Sequence, residues 1–516
     1  MSVKSRDLGL VCRGTLLVLQ RGQVGASSML AHCSKSGLCR VVSAPMLLPL
    51  SFAGPLRPLS YTLLSSGVFF SQHLLALLVL ALQGRPVTAI TSDWIFYVVP
   101  LQTLVRRYGA FDAIFLALAW ALLVAWALAA LAFRRTTDAN VSGWIAAFVV
   151  APAVQIPIML ILSLLPSRPV DRGASIPDNV GAMGSAAVAQ GLFTGLTMTV
   201  FTVAVGALVF GSYGYTMFVV SPFIIGSTTG YFGNRRQDIG VGNTERLVVG
   251  ALLLGGIALL AFALEGILCL IMAWPLVFGT AFVGGLLGRA IALHSRRPPR
   301  QALSSLALLP LVFATENFLP ATVQFDTQAR IQVSATPETV WKILLRTDLS
   351  EEPLSLPFRL GIAYPVRGEV VGEGVGAIRL GEFSTGTVVE KITEWIPNRK
   401  LAFVMLNQAP AMRELSPYAR VHAPHVIGYF RTTDTHFDLV ARDGGETEVI
   451  ELTSHELKLE PVLYWLPLAR WVVRMNNARV LAHLKRQAER DHVSPELQAR
   501  TGRGQDDTAE LNARRP

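Results

Sequence analysis

The densest run of polar side chains in the sequence is Arg413-Glu414-Leu415-Ser416-Pro417-Tyr418-Ala419-Arg420-Val421-His422-Ala423-Pro424-His425. Its two imidazoles, with His436 and His455 farther on, invite a metal reading. The His422-x-x-His425 spacing crosses a proline and is not a helical i, i+4 pair. No cysteine or closely spaced carboxylate completes a tetrahedral set, so no metal and no cofactor is expected. The same residues suit recognition: Arg413, His422, His425 and Tyr429 on a loop at a cavity mouth would meet the polar end of a ligand. Two other readings stand beside it. His422 or His425 serves as general acid or base in an enzyme, or the loop is structural and its prolines fix its course. Trp465, Trp471 and Met475 fall on a long helical pattern and are expected in the core and lining the same cavity. No Ser/His/Asp or Cys/His order marks a nucleophile, so catalytic residues are unknown. Glu390 and Glu394 read as a solvated strand face. Gly372-Glu373-Gly374-Val375-Gly376 lies between β-like runs without a following helix or lysine, so it predicts a hairpin or bulge rather than a phosphate loop.

These residues need a frame, and residues 325–492 supply a water-soluble one. Ile331-Gln332-Val333-Ser334-Ala335 alternates as a half-buried strand. Thr336-Pro337-Glu338 follows as an N-cap with proline at the first helical position, leading into Val340, Trp341, Leu344 and Leu345. Further β-like runs cover Gly386–Trp395, Leu401–Leu406, Thr432–Val440 and Thr447–His455, the last two joined by an Asp443-Gly444-Gly445 turn. A helical pattern from Leu463 to Arg490 closes the segment, with Leu468, Trp471, Met475, Ala478 and Ala482 along one face. The order strand, short helix, antiparallel strands, long helix predicts a curved sheet around a helix, with an apolar space between them. The opening strand and helix, the turn Trp395-Ile396-Pro397-Asn398 and the closing helix together resemble the START and polyketide-cyclase superfamily (SRPBCC). The resemblance covers about a third of the chain and implies a helix-grip fold with a cavity for a hydrophobic ligand. It implies no reaction.

Everything upstream reads as membrane. Hydrophobic residues make up 52% of the 516 and charged residues 16%, against about 25% charged in ordinary soluble domains. The net charge of +10 comes from arginines beside apolar runs, as in loops facing anionic lipid, so no nucleic-acid partner is expected. Cys12, Cys33, Cys39 and Cys269 fit no disulfide or metal framework.

Residues 1–45 form a poorly structured extension by this reading, with Met46 as an alternative start. Residues 46–320 are the multi-pass region and 493–516 a disordered tail. Spans of about 20 residues are expected at Tyr61–Leu82, Ala113–Phe133, Ile145–Leu165, Ala187–Phe210, Tyr215–Phe232, Leu247–Leu264 and Leu268–Leu293. Pro86–Tyr108 and Ala302–Phe313 are ambiguous. Gly226-x-x-x-Gly230 and Gly284-x-x-x-Gly288 offer small faces for close helix approach.

The hinge Arg134-Arg135-Thr136-Thr137-Asp138 through Ser142-Gly143-Trp144, preceded by Phe52-Ala53-Gly54, resembles a small bacterial inner-membrane family of unknown function. That family carries F-x-G-R and R-R-L-H-D-x-G-x-S-G-W. Here Pro55 stands for the first motif's arginine and Thr137 for the histidine. Physically, both arginines are expected to anchor at headgroups. Placing Arg134-Arg135 on the same side as Arg235-Arg236 and Arg296-Arg297 requires one run to be re-entrant or miscounted.

The fold class expected is therefore an α-helical membrane bundle of about seven to eight spans followed by an α+β helix-grip domain. The expected function is binding of a hydrophobic small molecule or lipid close to a bilayer, in the bacterial inner membrane. A cyclase- or hydratase-like enzyme and a non-catalytic scaffold remain as alternatives, and the domain's side of the membrane and any protein partner stay open.

Overall fold

The computed structural model describes residues 16–17, 29–33, 39–43, 49–168, 185–211, 213–294, 309–316, 318–319, 322–418 and 426–512. In the N-terminal extension three short strands, β1 (Leu16–Leu17), β2 (Met29–Cys33) and β3 (Cys39–Ser43), pair antiparallel.

Among the described residues, five helices are long and apolar enough to cross a membrane: Pro58–Leu82, Phe111–Asp138, Ser185–Ala207, Val241–Ala261 and Ile267–His294. This is fewer than the seven or eight expected. Pro86–Tyr108 breaks into short pieces, Thr88–Thr91, Trp94–Tyr97 and Pro100–Tyr108. The expected span Ile145–Leu165 is a 3-10 turn, Gly143–Phe148, followed by helix Pro152–Leu164. Thirteen residues rise only about 20 Å, short of a core of about 30 Å. Tyr215–Phe232 becomes a π segment, Thr216–Val220, continued by helix Ser221–Asn234. Residues 302–308 lie outside the described residues, and helix Leu309–Glu316 follows them.

Helix Ser221–Asn234 packs against Ile267–His294 through the two small faces. A Cβ on Gly226 would lie 2.0 Å from the Ala281 carbonyl oxygen, and one on Gly288 would lie 2.0 Å from that of Ser227. Only backbones without side chains approach this closely.

The hinge is a buried clasp rather than a headgroup anchor. Arg135 is fully buried. Its Nε donates to the Leu162 carbonyl at 2.9 Å, its Nη2 to that of Leu165, and its Nη1 to Asp138 at 2.5 Å. A guanidinium thus caps the carbonyl end of helix Pro152–Leu164, where the helix dipole is negative. Arg134 Nε donates to the Gly54 carbonyl at 3.3 Å, and Phe52 packs edge-on to Phe133, so the two motifs of the hinge signature meet. Gly143 completes the clasp, since a Cβ there would lie 3.1 Å from both Ile291 and Phe133. These bonds also hold residues 138 and 165 at one end of the bundle, so the segment between them enters and returns. Such a returning run lets Arg134-Arg135 and Arg235-Arg236 share one side, and Arg296-Arg297 lie outside the described residues.

The remaining strands form one antiparallel sheet of eight: β4 (Val323–Val333), β5 (Arg346–Asp348), β6 (Pro365–Val371), β7 (Ile378–Phe383), β8 (Gly386–Ile396), β9 (Lys400–Met405), β10 (Phe430–Ala441) and β11 (Thr447–Leu457). They run in the order β4-β11-β10-β9-β8-β7-β6-β5. Asp443-Gly444-Gly445 makes the β10–β11 turn with both glycines left-handed, and Asn398 takes the same conformation between β8 and β9. The 372–376 glycine run links β6 to β7. The sheet curls around the closing helix, Val462–Asn512. Leu481, Leu484 and Ala488 of that helix pack with Trp341, Phe403 and Phe437. Its first turn, Val462 to Leu466, joins the core of the membrane bundle instead.

Candidate functional site

Between the sheet's concave face and the middle of the closing helix lies a cavity of about 250 Å³. Its helix wall is the stripe Trp465, Leu468/Ala469, Val472/Val473, Asn476/Asn477 and Val480. This i, i+3, i+4 series is rotated by one residue from the face drawn on the sequence. Trp471 therefore points away and is 52% exposed, and it does not line the cavity. Met475 packs instead with Leu268, Phe358 and Ile362. Trp465 lines the cavity and is buried. The stripe runs from residue 465 to 480, roughly 22 Å at 1.5 Å per residue, so the space is elongated.

The sheet wall is apolar at most positions, among them Phe383, Val388, Phe403 and Met405. Its polar groups are Arg379 of β7, Glu390 of β8, Thr432 and Thr435 of β10, and three from β11, whose burial alternates without a break. Thr447, Val449, Glu451, Thr453, His455 and Leu457 are buried, and of these Glu451, Thr453, His455 and Leu457 line the cavity. His455 is held by Thr453 at 2.9 Å and Thr432 at 3.1 Å, and Asn477 donates to Thr453 at 3.2 Å. Burial lowers the His455 imidazole to about 4, against the pull of Asp434.

Glu390 corrects the sequence reading of a solvated face. It is 1% exposed and receives a hydrogen bond from Arg379 Nη1, and both line the cavity. A bulge between Ile392 and Glu394 flips the strand's parity. Glu390 faces inward in step with Val388 and Ile392, while beyond the bulge Glu394 pairs outside with Lys400 at 2.6 Å and Trp395 turns in against Trp341. Gly368 makes room for the pair: a Cβ there would lie 2.1 Å from Arg379 Nη2. Glycines inside strands, Gly368 here and Gly381 against Glu390, are the kind of sequence signal that points to such a pair.

Glu451 has no hydrogen-bond partner for its Oε2, and Arg379 has none for its Nε. Burial pushes the Glu451 carboxyl up to about 8, with Arg379 pulling the other way. A carboxyl raised in the folded state contributes stability at low pH and loses it as pH rises through the folded value. His455, lowered by burial, acts oppositely and matters only below about 6.5. Between pH 6.5 and 8 the unfolding free energy of the purified full chain is expected to fall, by at most about 1.4 kcal/mol per pH unit, and the thermal midpoint to fall with it. The Glu451→Gln variant should flatten that slope; equal slopes would mean that the carboxyl is ionised throughout.

The polar loop serves largely to seat the domain on the bundle. The Arg413 backbone N–H donates to the Gly361 carbonyl at 2.7 Å, and Arg413 does not line the cavity. The Leu415 carbonyl accepts from the Ile267 N–H at 3.0 Å, and the Tyr418 hydroxyl donates to the Ala261 carbonyl at 2.7 Å. Tyr429 donates its hydroxyl to the Gly211 carbonyl, also away from the cavity. His422 and His425 lie outside the described residues. Trp465 stacks edge-on with Phe218, and the Tyr464 hydroxyl donates to the Met272 carbonyl at 2.5 Å. Met272 itself, on helix Ile267–His294, closes one end of the cavity. No group of His, Cys, Asp and Glu among the described residues could hold a metal ion.

Residues 51–172 match the model of a family described as a protein of unknown function (DUF805), a stretch that contains the first span, the clasp and the returning segment. No curated protein matches the chain. Solved structures similar to it include a truncated norcoclaurine synthase from Thalictrum flavum, 16% identical. That alignment covers 32% of this chain and 94% of the synthase, with a TM-score of 0.21. The Zhui aromatase/cyclase from a Streptomyces species is 17% identical over 32% of this chain and 94% of its own, with a TM-score of 0.22. Both activities belong to those proteins.

Proposed function

We propose that this chain holds a hydrophobic small molecule or lipid in the helix-grip cavity, at the surface of the bilayer its helices cross. The observation that carries the proposal is the cavity's composition and place. It is elongated and mostly apolar, and it is bounded at one end by Met272 of a membrane helix. Seating the pocket on the bundle raises its local concentration toward lipid-dissolved molecules.

The test is binding of an apolar solvatochromic dye by the purified full chain, compared with Ala469→Phe, which fills the cavity from the helix side. The wild type should show a saturable component that the filled variant lacks. Equal dye response in both would sink the proposal.

The second part of the proposal concerns sidedness in a bacterial inner membrane. One end of the bundle carries Arg57, Arg134, Arg135, Arg168, Arg235 and Arg236; the domain docks at the other, near Phe111, Ala261 and Ile267. The positive-inside rule makes the arginine-rich end cytoplasmic. The cavity domain then faces the outside. Alkaline phosphatase fused after residue 516 should be active and a fluorescent protein there dark, and the reverse pattern would overturn the assignment.

A further inference from the structure

Buried polar atoms without partners are rare in folded proteins, and each one left dry is costly. Four of them border this cavity, one of which, Trp465 Nε1, lies at the end next to the membrane bundle. Glu451 Oε2 and Asn476 Oδ1 lack partners, and so does Arg379 Nε. Glu451 is 4% exposed. Its strand position sets it level with Phe437, farther from the membrane bundle than the lining residues Thr453, His455 and Leu457 of the same strand. The charged lining groups Arg379, Glu390 and Glu451 therefore lie at the end away from the membrane bundle.

The inventory of unpaired atoms discriminates among head groups. Arg379 Nε can only donate, and Asn476 Oδ1 can only accept. A ligand carboxylate would satisfy Arg379, but it would stand beside the Glu390 and Glu451 carboxyls with a single guanidinium among them. An ammonium would satisfy the acceptors and leave Arg379 Nε dry. A hydroxyl both donates and accepts, and it matches the set without bringing a charge.

We infer that the cavity takes a long apolar alcohol, its hydroxyl buried between Arg379 and Glu451 at the end away from the bundle and its tail directed toward Met272. This rests on the cavity reading above and adds the head group and the orientation. The hydroxyl accepts from Arg379 Nε and donates to Glu451 Oε2 or Asn476 Oδ1. The Arg379–Glu390 pair fixes the guanidinium, and Gly368 leaves space for it.

The test uses the purified full chain and three probes with one tail: decanol, decanoate and decylamine. Each competes against the solvatochromic dye, with the Ala469→Phe protein reporting partition into the detergent alone. Decanol should displace the dye at concentrations at least tenfold below either charged probe. In Glu451→Leu, an apolar replacement of similar size, that preference should shrink to within about twofold. A charged probe that competes as well as decanol would overturn the hydroxyl assignment while leaving the cavity reading intact. If none of the three displaces dye beyond the filled variant, both readings fall together.

Discussion

Gly226→Leu should abolish recovery of monodisperse full-length protein, whereas Gly279→Leu, in a partner helix, should be recovered at wild-type levels. A Cβ on Gly226 would sit 2.0 Å from the Ala281 carbonyl oxygen, a backbone atom that cannot rotate aside. The facing contacts repeat the problem: Gly284 lies against the Phe223 carbonyl and Gly288 against that of Ser227. A leucine at Gly226 must therefore drive the two helices apart along their whole contact. The cost exceeds the usual overpacking penalty of about 1–3 kcal/mol, because lipid offers no hydrophobic gain to restore a loosened helix pair. Gly279 has nothing within 4 Å of its Cβ position, so it separates the effect of this interface from that of leucine in a membrane helix. Size-exclusion profiles in one detergent read both variants, and a normal profile for Gly226→Leu would contradict the close packing.

The second large effect is expected inside the cavity. Glu390→Ala leaves the Arg379 guanidinium without its ion-pair partner; the arginine side chain is 15% exposed and that of Glu390 only 2%. Breaking a buried pair by removing one member costs about 3–5 kcal/mol. Replacing both members with apolar residues of similar size is close to neutral, because no unpaired charge remains. The double variant Arg379→Leu/Glu390→Leu should therefore unfold near the wild-type temperature, while Glu390→Ala unfolds well below it. If the two variants are equally unstable, volume and not charge sets the cost. The double variant should also lose the preference for an alcohol head while keeping its affinity for apolar dye.

The contrast between the two sites shows what kind of information the sequence carries in readable form. Gly226, Gly230, Gly284 and Gly288 were legible because spacing along a helix is itself the signal. The same holds for Thr336-Pro337, Asn398 and Asp443-Gly444-Gly445, each placed where a local conformation demands it. The strand runs expected at Leu401–Leu406 and Thr447–His455 lie within two residues of β9 and β11.

The cavity was harder to read, because its wall is not uniformly apolar. On β11 the inward set holds Glu451, Thr453 and His455, while Ile450 and Leu452 face the other way. Polarity alone cannot say which face of such a strand looks inward. Asn476 and Asn477 had the same effect on the closing helix, drawing the apolar stripe one residue away from the face that lines the cavity. A bulge that no single-strand pattern reveals puts Glu390 and Glu394 on opposite faces. Arg135 looked like a headgroup anchor because its partners, the Leu162 and Leu165 carbonyls, lie about 30 residues downstream.

The most direct measurement is native mass spectrometry of the full chain released from detergent, with its Ala469→Phe variant beside it. The cavity account predicts an adduct of one small apolar molecule on the wild type, absent from the filled variant and carrying a hydroxyl when identified by fragmentation. A wild-type chain that arrives bare, or an adduct that survives filling of the cavity, would contradict it.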